Sequence, residues 1–271
     1  MNGKPHSHDC CTTFKESLLI LLFEFLGTML LTALFASVFA TKDAAGLLTG
    51  FFILLIFSAR ISGSHFNPAI TLAFMFRRDT GRFSRLLGLL YIAAQYLGAV
   101  CGALISFNLF QSKDQGGLPL SVSTTGGEDG QTTLLIQSMF MEVIGSMIIT
   151  FLYLTQTEEK TKMSGDPAIT TLIIAATYTA VVSFGEYSGV MSGSPYNPAV
   201  AMGLLWGMIF GANVKETSNS WLFLLFSYIG SILAVFLFEF IYKKAVATAD
   251  QIEEAEDAEE HEDALLSPQN A

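Results

Sequence analysis

The sequence predicts an all-α membrane protein: six transmembrane helices plus two re-entrant half-helices, arranged as an inverted repeat. Three observations lead there. First, 51% of the 271 residues are hydrophobic and 14% charged, with apolar runs longer than a soluble domain carries. Second, six stretches fall near the length needed to span: approximately Leu18–Ala40, Gly46–Ile61, Leu86–Leu109, Leu134–Thr155, Ala168–Tyr187 and Trp221–Tyr242. A hydrocarbon core of about 30 Å takes roughly 20 helical residues to cross. Third, one tripeptide occurs twice, as Asn67-Pro68-Ala69 and Asn197-Pro198-Ala199. Each copy follows a small-residue turn, Ser62-Gly63-Ser64-His65-Phe66 or Ser192-Gly193-Ser194-Pro195-Tyr196, and opens an apolar run too short to span. Paired, interrupted segments at matching positions of two halves point to a transport site at the membrane midplane.

Along the chain, residues 1–15 form an N-terminal segment without the apolar region and cleavage site of a secretory peptide. The first span is expected to act as its own insertion signal. Residues 16–244 form the membrane domain, its first half about 16–110 and its second about 133–244. Each half is led by a similar motif, Glu24-Phe25-Leu26-Gly27-Thr28-Met29 and Glu142-Val143-Ile144-Gly145-Ser146-Met147. Residues 245–271 form a tail whose run Asp250–Asp263 is dominated by Asp and Glu and carries no Lys or Arg. It supplies most of the net charge of −10, and such self-repelling charge is expected to be disordered.

The three cysteines, Cys10, Cys11 and Cys101, have neither disulfide nor zinc-site spacing. No metal or cofactor is expected.

Lys and Arg in short loops set orientation. With both termini cytoplasmic, the inside receives Lys4, Lys15, Arg60, Arg77, Arg78, Arg82, Arg85, Lys160, Lys162, Lys243 and Lys244. The outside receives only Lys42, Lys113 and Lys215. The first Asn-Pro-Ala then enters from the cytoplasm and the second from outside, with an extracellular loop around Ser112–Thr133.

Asn is a favoured N-cap, and Pro suits the first helical position, where its missing N–H is no loss. From Asn67 to Arg77 is about 15 Å of helix at about 1.5 Å per residue, half the core, which sets Asn67 near the midplane and Arg77 and Arg78 at the surface. The second half-helix, Asn197 to about Phe210, has a similar reach. The two N-termini meet at the centre, each carrying about half a positive charge, so the meeting point repels cations. Once the carbonyl oxygens of Asn67 and Asn197 cap their helices, each amide keeps donors for the oxygen of a permeating molecule. Glu24 and Glu142, costly inside a membrane, are expected to accept hydrogen bonds from the backbone N–H groups of their own re-entrant loops. A proton relay is the alternative role. Gly27, Gly98, Gly102, Gly145 and Gly230 are expected to allow close helix packing.

On these motifs the chain resembles the major intrinsic protein family, the aquaporins and aquaglyceroporins. The stretch Ser62–Leu72 lies very close to the family's pattern, and the resemblance covers about residues 16–244. It implies a pore in each protomer, homotetramers, a pore-lining role for His65, and a narrow aromatic–arginine filter. In the family's spacing the filter positions fall on Leu47, Gly185, Ser194 and Val200. Here the chain departs from the pattern, because Val200 replaces the usual Arg. Gly185 looks like the glycerol-conducting branch, but the Asp typical of that branch is missing from Val200-Ala201-Met202. A filter of Leu, Gly, Ser and Val is wide and mainly apolar.

The expected function is a passive channel for water, small neutral solutes of the glycerol or urea kind, or both. The alternatives are a gated or non-conducting structural member and an ion-coupled secondary transporter. An enzyme is not expected, since the sequence pairs no nucleophile with a base and carries no phosphate-cradling loop. The expected partners are the solutes, the lipid bilayer and further copies of the chain, and not nucleic acid. The expected location is a multi-pass position in a plasma or vacuolar membrane, between which the sequence does not choose. Ser84 lies among basic residues, where it is either a phosphorylation site or a helix cap.

Overall fold

The computed structural model describes residues 8–78, 83–110, 121–122, 127–188, 191–210 and 219–266. Lys4, Arg82, Lys113, Lys215, most of the connection 112–133 and the last residues of the tail lie outside the described residues. Nine α-helices are described: α1 His8–Thr41, α2 Ala44–Ser58, α3 Pro68–Phe76, α4 Arg85–Phe110, α5 Gly127–Thr157, α6 Pro167–Tyr187, α7 Pro198–Phe210, α8 Trp221–Leu237 and α9 Lys243–Leu266. A π turn, Phe238–Tyr242, joins α8 to α9. Segments within α1, α4, α5, α6 and the α8–α9 run are long and apolar enough to cross a membrane. The sixth span, α2, has 15 residues, and a further turn extends it, with Ser62 N–H bonding the Ser58 carbonyl at 3.0 Å.

The helix starts are written locally. Asp43 caps α2 through Gly46 N–H at 2.8 Å, and Asp166, followed by Pro167, caps α6 through Ala168 N–H at 2.8 Å. Ser84 caps α4, its hydroxyl accepting from Leu87 N–H at 3.1 Å, so the structure shows the capping role for this serine. The hydroxyls inside the spans bond to carbonyls one turn back, as Thr28 does to Glu24 O at 2.7 Å and Thr32 to Thr28 O at 2.8 Å. No polar atom of these threonines then faces hydrocarbon unpaired.

The inverted repeat is visible in the packing. Helix α1 packs on α4 and α5 on α8, while each half-helix crosses to the other repeat, α7 against α4 and α3 against α8; α2 and α6 pair with each other. The closest approaches correspond across the halves. A Cβ on Gly98 would stand 2.3 Å from Phe25 O, and one on Gly230 would stand 2.2 Å from Val143 O. Gly27 and Gly145 act differently from the expected helix–helix contact: they make room for the rings of Phe66 and Tyr196 in the re-entrant loops. The bundle's outside is lined with exposed Leu18, Ile53, Leu89, Phe140, Leu225 and Phe236. An apolar exterior of this extent suits lipid rather than water.

Two differences from the sequence reading stand out. The acidic tail continues as helix to Leu266, exposed over residues 247–259, where charge repulsion argued for disorder, because its Ala and Glu residues are strong helix formers. Arg77, expected at the surface, is turned inward with its side chain 8% exposed. It pairs with Glu158 and, through Nε, with Glu239 at 3.6 Å. Lys243 lies 3.3 Å from Glu239 and 3.8 Å from Glu158. The π turn sets Glu239 where these two cations converge, so the end of α3 is pinned to the ends of α5 and α8. This end of the bundle is the basic end below.

Substituting Gly230 by Val inserts atoms where a backbone carbonyl cannot move away. The expected loss is about 1–3 kcal/mol or more, read as a lower thermal unfolding midpoint in detergent, whereas Gly165→Ala, with open space around it, leaves the midpoint unchanged.

Candidate pore centre

The re-entrant loops place the two Asn-Pro-Ala motifs tip to tip. In each, the asparagine side-chain oxygen caps its own half-helix: Asn67 Oδ1 accepts from Ala69 N–H at 2.9 Å and Asn197 Oδ1 from Ala199 N–H at 3.0 Å. The amide nitrogens reach across. Asn67 Nδ2 donates to Tyr196 O at 3.1 Å, and Asn197 Nδ2 donates to Phe66 O at 2.8 Å. This exchange uses one hydrogen of each amide and leaves one over. The carbonyls of Phe66 and Tyr196 face the partner loop because both residues adopt left-handed backbone, with φ of 46° and 48°. The N-termini of α3 and α7 thus point their dipoles at one spot, where a cation is repelled and an oxygen atom attracted.

The two loops are held by different means. Glu24, fully buried in α1, accepts from His65 N–H at 3.0 Å, Phe66 N–H at 2.9 Å and the Ser62 hydroxyl at 2.6 Å. Gln95 of α4 donates to it at 2.7 Å and to Thr71 Oγ1 at 2.9 Å. Glu142 is buried as deeply, but it departs from the expectation for both acids: it accepts from the hydroxyls of Ser194 and Ser227 rather than from backbone N–H groups. The reason is covalent. Pro195 occupies the place of His65 and has no N–H, and Tyr196 N–H turns to Ser194 Oγ at 3.4 Å.

Of the positions expected to form a filter, Leu47, Ser194 and Val200 are 4%, 6% and 0% exposed, and Gly185 is buried in α6. Leu47 and Val200 belong to one apolar cluster with Phe51, Tyr178 and Val182. Leu47 also lines a cavity of about 60 Å³ with Phe35, Val38 and Val182, rimmed by Lys42 and Glu186. The Ser194 hydroxyl, turned to Glu142, does not present its proton to that cluster. Toward the basic end, His65 is 4% exposed. Its Nδ1 lies 3.1 Å from Thr71 Oγ1. Its ring centre lies 4.4 Å from Phe74, 5.4 Å from Phe83, 5.3 Å from Tyr91 and 5.8 Å from Tyr153. The Tyr153 hydroxyl donates to Gly63 O, and Tyr91 donates to Ser62 O at 2.9 Å. The motif reading missed Gln95, Tyr153 and Ser227; an amide in the middle of an apolar run was the one available signal for Gln95.

Two capped half-helices meeting tip to tip between symmetric helix triplets define an inverted-repeat membrane fold of the half-helix type. The chain belongs to the major intrinsic protein family, whose model matches residues 5–238. Aquaporin PIP2-4 of Oryza sativa subsp. japonica is 28% identical over 194 residues, which cover 71% of this chain and 63% of the relative. Lens fiber major intrinsic protein of Rattus norvegicus is 30% identical over 183 residues, covering 67% and 61%. The matched stretch thus spans less than two thirds of these relatives' length. The solved aquaglyceroporin of Plasmodium falciparum shares the fold with a TM-score of 0.70 at 21% identity, over 86% of this chain and 99% of that one.

Truncating Glu24 to Ala strands two backbone N–H groups, which have no freedom to find other acceptors; truncating Glu142 strands two hydroxyls that rotate. Each buried orphan costs about 1–3 kcal/mol. Glu24→Ala is therefore expected to lower the thermal midpoint more than Glu142→Ala, and introducing Pro195→His should leave Glu142→Ala more damaging than it is in the native loop.

Proposed function

We propose that the protein is a passive membrane channel for water and small neutral solutes such as glycerol and urea. The observation that carries this reading is the reciprocal bonding of Asn67 and Asn197 to the opposite loop's carbonyls, which holds two positive helix ends and two remaining amide protons at one buried point. Such a point favours the oxygen of a neutral molecule and rejects cations and protonated water chains. The aquaporin and aquaglyceroporin names of the relatives agree with it. On this reading Leu47, Gly185, Ser194 and Val200 form a filter without a guanidinium, apolar enough to pass solutes with carbon backbones, and His65 lines the path nearer the basic end. The basic end faces the cytoplasm, where the excess of Lys and Arg belongs, and four copies assemble with a pore in each.

A gated member of the family is the second reading. The Tyr153 hydroxyl on Gly63 O and the four rings around His65 support it, because the phenol takes one of that carbonyl's two acceptor positions from a passing molecule. An ion-coupled transporter has less support: Glu24 is saturated with donors, which leaves it no role as an exchanging site.

Stopped-flow light scattering on proteoliposomes tests the proposal. Fast shrinkage in sucrose and fast re-swelling in glycerol are expected for the native chain. Val200→Arg should slow glycerol by about ten-fold or more, the effect of about 1.4 kcal/mol, while slowing water less. Unchanged glycerol flux would remove Val200 from the constriction, and flux no faster than empty liposomes would favour the gated reading.

A further inference from the structure

None of the four filter positions offers a hydrogen-bond donor to the path. Leu47, Gly185 and Val200 have none on their side chains, and the Ser194 proton goes to Glu142. One level deeper the chemistry changes. Phe51 lies four residues after Leu47 on α2, about 6 Å further in, and Tyr178 lies seven residues before Gly185 on α6, about 10 Å further in. Both steps keep the helix face, so the pair continues the wall that Leu47 and Gly185 begin. The rings of Phe51 and Tyr178 meet at 4.7 Å between centres with a 48° tilt. Both sit in the apolar cluster that contains Leu47 and Val200.

Tyr178 is 2% exposed, and among the described residues its hydroxyl has no hydrogen-bond partner. An unpaired phenol in an apolar cluster costs about 1–3 kcal/mol, which a packing role alone does not explain, since Phe would fill the same space. The other phenol in this state, Tyr196, is wedged against Gly145 of α5, whereas Tyr178 stands opposite α2.

We propose that Phe51 and Tyr178 form a second selectivity level below the Leu47–Gly185 ring, at which the Tyr178 hydroxyl hydrogen-bonds one oxygen or nitrogen of a small polyol or urea-like solute while Phe51 supplies an apolar wall to its carbon face. This rests on the channel reading above and assigns within it the donor that Val200 does not supply. Water makes its bonds in any orientation and gains less from the phenol. A solute passing through an otherwise apolar wall depends on it.

The test uses the full chain in proteoliposomes. Tyr178→Phe keeps the ring and removes the hydroxyl; it should lower the ratio of glycerol to water permeability by about five-fold, the scale of one net hydrogen bond. A second readout locates the residue whether or not flux is seen. In a background with Cys10, Cys11 and Cys101 replaced by Ser, Tyr178→Cys should react with a small membrane-impermeant thiosulfonate. Leu172→Cys, on the exposed face of the same helix, should not. A native permeability ratio in Tyr178→Phe, or labelling at 178 no greater than at 172, overturns the proposal. Labelling at 178 with no flux from the native chain counts for the pair's place in the path and against the channel reading.

Discussion

Backbone that is neither helix nor strand survives at the middle of a hydrocarbon slab only if every N–H and C=O finds a partner inside the protein. The rest of this structure depends on that constraint at residues 59–67 and 193–197. The asparagines answer it twice over, capping their own half-helices and donating to the opposite loop's carbonyls. Because each bond crosses from one repeat to the other, neither half completes its own centre. The glycines of α4 and α8 close each repeat on its own first helix, since a single methyl at Gly98 or Gly230 would meet a carbonyl of α1 or α5.

The repeats share a plan but differ in how each loop is held. In the first, a carboxylate gathers two backbone N–H groups, a serine and a glutamine. In the second, Pro195 removes one of those donors and Ser227 of α8 stands in for the longer Gln95, so Glu142 holds its loop through the Ser194 hydroxyl. Fixed donors around a buried charge resist displacement more than rotatable ones. The first loop is therefore tied to its acid through its own backbone and the second through the Ser194 side chain, next to Val200.

The basic end adds a different kind of tie. Arg77 and Lys243 meet Glu158 and Glu239 in a partly buried group whose charges cancel. Phe238 lies 5.6 Å below the Arg77 guanidinium and 5.3 Å from the Lys243 ammonium. Removing one partner from such a group leaves the others buried without compensation. The half-helix α3, the end of α5 and the start of α9 are thereby tied to one another.

The sequence by itself determined the architecture, for reasons that are local. Asn-Pro starts a helix wherever it falls, ten apolar residues reach only half of a bilayer, and two echoes of one motif in opposite loops dictate an inverted repeat. Glu24 and Glu142 were legible as buried acids because a charge inside a span is rarely idle. What surrounds them was not: Gln95, Ser227 and Tyr153 are far away in the chain, and the consequence of Pro195 shows only when its missing N–H is set against a particular carboxylate. The inward turn of Arg77 waits likewise on Glu158 and Glu239, which lie 81 and more residues along. Local sequence selects helices, caps and breaks through short-range sterics and hydrogen bonds. Which side chain meets which across the bundle is decided by tertiary packing, since there the partners are set by distance in space and not along the chain.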